Sequence, residues 1–230
     1  MVIGNGMIAK AFKSYESKDD FVIFASGVSD SVDPSSTAFE REKKLLTDTI
    51  HNSNGKTLVY FSTCSIYDQS MVDAHYVNHK RNMEALVTGM QSSYSIFRLS
   101  NPVGHTTNST TLINFLVNHI LERRHFNVWR NASRNIIDID DMFTVTNEIL
   151  QERLFPNAIT NIANPQNYPI PFIVERIEGH FGIKADYTFI SKGDSPQIDV
   201  SAIEPLFKKF NINFGENYLS QLLQKYFPGE

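Results

Sequence analysis

The chain has 230 residues, 41% of them hydrophobic and 20% charged, with a net charge of −4. This is an ordinary globular composition, with room for one substantial core or one core and a small appendage. The absence of a long basic run disfavours generic binding to nucleic acid or anionic membranes. The single cysteine, Cys64, excludes an internal disulfide, and the longest apolar runs, "FVIFA" and "TLVYF", are far shorter than a membrane span. The N-terminus has no charged-then-apolar signal pattern, so a cytoplasmic enzyme or binding protein is expected.

"MVI" is a short apolar start that runs at once into "GNGMIAKAF", where Ile8, Ala11 and Phe12 have helical spacing. The sequence predicts a strand, a glycine turn and a helix here. "FVIFASG" (21–27) predicts a buried strand ending in small residues. Residues 35–52 predict a helix with Phe39, Leu45, Leu46 and Ile50 inward. "TLVYFST" (57–63) is a second buried strand, and the next helix carries Tyr76, Lys80, Met83, Leu86 and Val87. "YSIFRLS" (94–100) predicts a strand stopped by "NPVG", followed by a helix over 111–123 and short strands at "FNVWR" and "NIIDID". "DDMFTVTNEILQ" opens a helix with acids in its first turn, as the helix dipole prefers.

Strands alternating with helices predict an α/β fold with a parallel, doubly wound sheet, and unbroken apolar strands fit a sheet covered on both faces. Beyond about residue 153 the elements shorten, and Pro and Asn increase. The expected division is a sheet domain over 1–152 and a small α/β lobe over 153–230.

Three motifs carry chemistry. In Gly4-x-Gly6-x-x-Ala9, a glycine turn opening a helix lets a diphosphate approach backbone N–H groups; the alternative is a tight turn with no ligand. The acid that usually holds a ribose at the next strand tip is missing, since that strand ends in Ala25-Ser26-Gly27 and Asp19 and Asp20 precede it. Ser62, Thr63 and Ser65 lie at a strand's carboxyl end, where ligands bind in such sheets; the alternative is a turn or helix cap. Tyr76 and Lys80 are four apart and share a helix face, where an ammonium beside a phenol favours phenolate; the alternative is a solvated pair. His75 and His79 form at most half a metal site, and Asp138, Asp140 and Asp141 read better as a strand end and helix cap, so no metal is expected. Cys64 reads as a small buried residue.

The order of these motifs resembles the extended short-chain dehydrogenase/reductase family, the NAD-dependent epimerases and dehydratases, in a shortened form. "FRLSNPVGH" (97–105), "SRNIIDIDDM" (133–142) and "NIANP" (161–165) resemble further segments of that family, the last its strand opening the substrate lobe. The resemblance implies a Rossmann-like sheet domain that binds NAD or NADP, and a nucleotide-sugar substrate. It implies that Thr63, Tyr76 and Lys80 are the catalytic set, with Tyr76 as acid/base and Lys80 also on the nicotinamide ribose. It places the cofactor against Gly4, Gly6, Met7, Ile8, Ala25, Ser26, Gly27, Ser62, Pro102 and Val103. It places the substrate against Ser65, Asn101 and Arg134, the last on the diphosphate.

Two stretches are short for that family. Only residues 10–20 separate the glycine turn from "FVIFASG", which implies that this strand corresponds to the family's fourth and that the second and third, which hold the adenosine half, are absent. Thr63 and Tyr76 are thirteen positions apart, closer than is usual. Cys64 and Ser65 stand where dehydratases carry an Asp-Glu pair, which disfavours dehydration.

The expected function is sugar-nucleotide reduction or epimerisation by hydride transfer, in surface-polysaccharide synthesis. The alternative is a non-catalytic member that binds a sugar nucleotide or a partner. A homodimer through residues 35–52 and 76–90 is implied as well.

Overall fold

A computed structural model describes residues 1–28, 36–71 and 73–229. In chain order the first half comprises Val2–Ile3 (β1), Met7–Ala11 (α1), Phe21–Phe24 (β2), Ser36–His51 (α2), Thr57–Thr63 (β3), His75–Met90 (α3), Tyr94–Leu99 (β4) and Asn101–Val103 (β5). Then follow Leu112–Leu121 (α4), Phe126–Trp129 (β6), Ser133–Asp138 (β7), Ile139–Gln151 (α5), Ala158–Ile162 (β8) and Asn167–Pro169 (β9). Ile170–Phe181 (α6), Tyr187–Ile190 (β10), Glu204–Lys209 (α7) and Tyr218–Tyr226 (α8) complete the fold. Ser35, the expected first residue of the second helix, lies outside the described residues. No helix among them is long and apolar enough to cross a membrane.

The main sheet is wholly parallel, in the order β1-β2-β3-β4-β8. Side-chain alternation divides its core into two layers. Val22, Phe24, Leu58, Tyr60 and Ile96 face Leu46 and Ile50 of α2 and Met83 and Val87 of α3. Ile23, Val59, Phe61 and Phe97 face the opposite way, towards Phe12 and Tyr15 just after α1 and Val145 and Ile149 of α5. Helices therefore cover both faces, as the continuous apolar strands require.

In a doubly wound sheet of order 3-2-1-4-5-6 the first strand is central and the fourth lies beside it. Here β1 is at the edge, with β2 beside it and no other strand against it among the described residues. The strand order agrees with the expected loss of the second and third strands. The loss has a topological consequence. The connections β1→β2 and β2→β3 step the same way along the sheet but pass over opposite faces, so they have opposite hands. Such crossovers are almost always right-handed, so one of these two departs from that rule.

The expected boundary at 152/153 does not separate two bodies. β8 is the fifth strand of the main sheet, while β7 pairs with β5 and antiparallel to β9, and β6 pairs with β10. The lobe is thus built from both halves of the chain, because the strands find their partners across the sequence. "NIANP" likewise ends the main sheet at Ile162, and only its last residues enter the lobe. Asp138 caps α5 by accepting from the Asp140 N–H at 2.8 Å, and also binds Lys225 Nζ (2.8 Å) and Tyr226 OH (2.6 Å) of α8. The acidic trio is therefore a cap and a clasp for the last helix. Among the described residues no cluster of three His, Cys, Asp or Glu is placed to hold a metal.

Candidate active site

The carboxyl ends of β1, β2 and β3 and the start of α3 meet at one mouth. Gly4 has φ +126°, and a Cβ there would lie 2.3 Å from Ala25 O, so the turn approaches the end of β2 as only glycine can. Gly6 is the N-cap of α1 and has open space on its Cβ side. Met7 and Ile8 follow, half-buried, and a Cβ on Gly104 would touch the Met7 thioether. The glycine turn, Ala25–Gly27 and the loop after Pro102 and Val103 thus lie close together.

The Thr63 hydroxyl at the end of β3 lies near enough to the Tyr76 phenol of α3 to act on its ionisation. Thr63 Oγ1 also donates to Ser65 Oγ and accepts from the Ser65 N–H, each at 3.0 Å. Ser65 and Thr63 thus bring two bonded hydroxyls beside Tyr76. The Tyr76 ring packs with Val28, Ile66 and Val77. Burial chiefly, with a contribution from the Glu42 charge, pushes its phenol up to about 12 against the opposing influence of the Thr63 hydroxyl.

Several expected roles meet a different geometry. Lys80 does not pull the phenol down: its Nζ donates to Glu42 Oε1 (3.0 Å), Tyr60 OH (3.0 Å) and Phe61 O (3.2 Å). Ser62 points into the layer under α3 and donates to Glu84 Oε1 at 2.5 Å, so its hydroxyl faces away from the mouth. Asn101 Nδ2 donates to Asn135 O at 2.7 Å. Arg134 Nη1 donates to Ser133 O (2.8 Å) and lies 3.4 Å from Asp68 Oδ2, bridging lobe and sheet domain. Five donors in a guanidinium leave it N–H bonds to offer an anion. Trp129 stands over Arg134, 6.0 Å from ring centre to guanidinium. The Cys64 thiol is buried, donates to Arg98 O at 3.1 Å, and is pushed by burial to about 12, as suits a packed side chain.

Two carboxylates absent from the motifs organise this region. Glu42 sits under Lys80, and Glu84 under Ser62 and Arg98. Each had a sequence signal. Glu42 lies on the inward stripe with Phe39, Leu46 and Ile50, and Glu84 is one turn beyond Lys80 on the same helix face.

The model of the NAD dependent epimerase/dehydratase family matches residues 7–163. No curated protein matches the chain. Among solved structures, RMD from Pseudomonas aeruginosa complexed with NADPH is similar at TM-score 0.71 and 14% identity, over 97% of this chain and 96% of that one. UDP-glucuronic acid 4-epimerase from Bacillus cereus, with UDP-glucuronic acid and NAD, gives 0.71 and 16% over 97% and 78%. UDP-N-acetylglucosamine 4-epimerase from Methanobrevibacter ruminantium M1 gives 0.68 and 16% over 94% and 77%. Those likenesses establish the Rossmann-like fold; by the match over most of its sheet domain, the chain belongs to the NAD dependent epimerase/dehydratase family.

Proposed function

We propose that the protein is an NAD(P)-dependent reductase or epimerase of nucleotide-linked sugars, with Thr63, Tyr76 and Lys80 as its catalytic set. The observation that carries this reading is the approach of Thr63, at the carboxyl end of β3, to the buried Tyr76 of α3, with Lys80 one helical turn on. The NAD, NADPH and UDP-sugars bound by the structural relatives support the choice of ligands.

The residues at the mouth fit the nicotinamide half of such a cofactor. Gly4 and Gly6 leave the turn bare of side chains, Met7 and Ile8 wall it, and Ala25, Ser26 and Gly27 present backbone at the tip of β2. Pro102 and Val103 line the far side. The adenosine half has no strand beyond β1 among the described residues. A bound nicotinamide supplies or accepts the hydride. Tyr76 gives or takes the proton of the sugar hydroxyl, Thr63 orients that oxygen, and Ser65 extends the donor chain. Arg134 holds the diphosphate by a forked charge-assisted contact, and Asn101 lies alongside it. We place the enzyme in the cytoplasm, as a homodimer, in surface-polysaccharide synthesis.

A second reading is a non-catalytic binder of a sugar nucleotide or a partner protein. The edge position of β1 and the full occupation of Lys80 Nζ favour it. Calorimetric titration with NADH and NADPH, with and without nucleotide diphosphates, separates the two. Cofactor binding supports the enzyme. No binding at millimolar cofactor supports the binder.

A further inference from the structure

Helix α2 carries a carboxylate on its inward stripe. Phe39, Glu42, Leu46 and Ile50 are spaced three, four and four apart, and Glu42 has no exposed surface. Taking a carboxylate out of water costs several kcal/mol unless charges and hydrogen bonds replace its hydration. Glu42 has them on both oxygens. Oε1 accepts from Lys80 Nζ (3.0 Å) and Tyr60 OH (2.7 Å), and Oε2 accepts from the Val28 N–H (2.7 Å) and His79 Nε2 (3.0 Å). Burial alone would raise the Glu42 carboxyl; His79, Lys80, Val28 and Tyr60 outweigh it and hold it at about 2.

The ammonium is equally complete. An ammonium has three N–H donors, and those of Lys80 reach Glu42, Tyr60 and Phe61 O. Gly27 closes the cluster from above. A Cβ there would lie 2.7 Å from Lys80 Nζ and 3.0 Å from Glu42 Oε1, so a larger residue would displace the pair.

Building on the catalytic reading of Tyr76 and Lys80 above, we propose that Glu42 is a positioning residue: it holds Lys80 as an internal counter-ion and so keeps the Tyr76 hydroxyl in its proton-donating form. A free ammonium beside a phenol favours phenolate. Here that charge is compensated inside the fold, and the Glu42 charge acts on Tyr76 in the opposite sense. The groups that bear on the Tyr76–Lys80 pair are Glu42 from α2, Tyr60 and Thr63 from β3, and His79 and Glu84 from α3; Glu84 is itself paired with Arg98. In the reducing direction the phenol therefore delivers its proton to a substrate oxygen and regains it from water.

The test needs neither cofactor nor substrate. Tyrosine is labelled with carbon-13 at the ring carbon bearing the hydroxyl, and the Tyr76 signal is assigned with Tyr76→Phe. Its ionised fraction is read at one alkaline pH where circular dichroism shows every variant folded. In Glu42→Gln the fraction rises about tenfold, a shift of about one pH unit. In Glu42→Gln/Lys80→Met, which removes the released ammonium, it returns to the wild-type level. An unchanged fraction in Glu42→Gln, or a rise that persists in the double variant, overturns the proposal. If Glu42→Gln does not fold, Glu42→Asp provides the measurement: the shorter carboxylate loosens its hold, and a wild-type fraction in that folded variant overturns the proposal equally. Absent turnover in the wild type strikes at the catalytic reading and leaves this titration readable, so the two fail separately.

Discussion

Arg98 grips Glu84 through two bonds, Nε to Oε1 at 2.9 Å and Nη2 to Oε2 at 2.6 Å. The pair joins α3 to β4, Ser62 donates to it from β3, and Arg98 Nη1 continues through Tyr67 OH (3.0 Å) to Asn161 of β8. The Glu84 hydrogen bonds raise the guanidinium further above its ordinary value. Removing one partner leaves the other charge largely buried, which typically costs about 3–5 kcal/mol. Glu84→Ala is therefore expected to lower stability by about 3 kcal/mol in denaturant unfolding. Glu84→Met/Arg98→Met is expected to cost less than the two single changes added, because no lone charge is left.

Tyr76→Phe removes one hydroxyl and leaves the ring packed against Val28, Ile66 and Val77. Loss of this one buried hydroxyl is expected to change stability by no more than about 1 kcal/mol. Loss of a positioned proton donor lowers turnover by about 10²–10⁴-fold. Wild-type turnover in this variant would remove Tyr76 from the chemistry.

Gly4 and Gly6 are expected to respond differently to alanine. At Gly4 the positive φ and the 2.3 Å approach to Ala25 O strain any side chain, so Gly4→Ala lowers stability by about 2 kcal/mol or more. Gly6 has φ −73° and no neighbour within 4 Å of its Cβ position, so Gly6→Ala keeps stability to within about 0.5 kcal/mol. Its methyl would stand in the bare turn, and NADH or NADPH binding by calorimetry is expected to weaken. Equal binding by wild type and Gly6→Ala would move the diphosphate away from this turn.

Glu42 predicts an acid limb of stability. Its carboxyl falls from the ordinary 4.5 to about 2 on folding. The unfolded chain thus takes up the proton first as pH falls, and stability falls with it. The contribution, about 3 kcal/mol, is full above pH 4.5 and is lost as pH drops towards 2. Urea unfolding across that range is expected to show a flatter pH dependence in Glu42→Gln. An identical slope would show that Glu42 is not held ionised in the fold.

The features that depend on short-range period and spacing were legible in the sequence. β3 spans 57–63 as expected, and α2, α3 and α5 start or end within a residue or two of the expected bounds. The glycine turn and the Tyr76/Lys80 helix face follow from spacing, since side-chain direction repeats every 3.6 residues in a helix and every two in a strand; the absent strands were implied by the family resemblance. The same rule explains why Ser62 and Thr63, adjacent in sequence, turn to opposite sides, one to Glu84 and the other to Tyr76.

The sequence by itself determined a parallel α/β sheet with a bare glycine turn, Thr63 at a strand end, and Tyr76 and Lys80 on one helix face. The partners of the charged groups were decided only by the tertiary structure. Lys80 could have served the mouth or the core, and Glu42, 38 positions earlier, drew it inward. Arg134 met Asp68 across the cleft, and strands from both halves of the chain built the lobe. The reason is physical: local period sets which face a side chain takes, whereas desolvation makes a buried charge seek whatever opposite charge the packed helices bring within about 3 Å, at any separation along the chain.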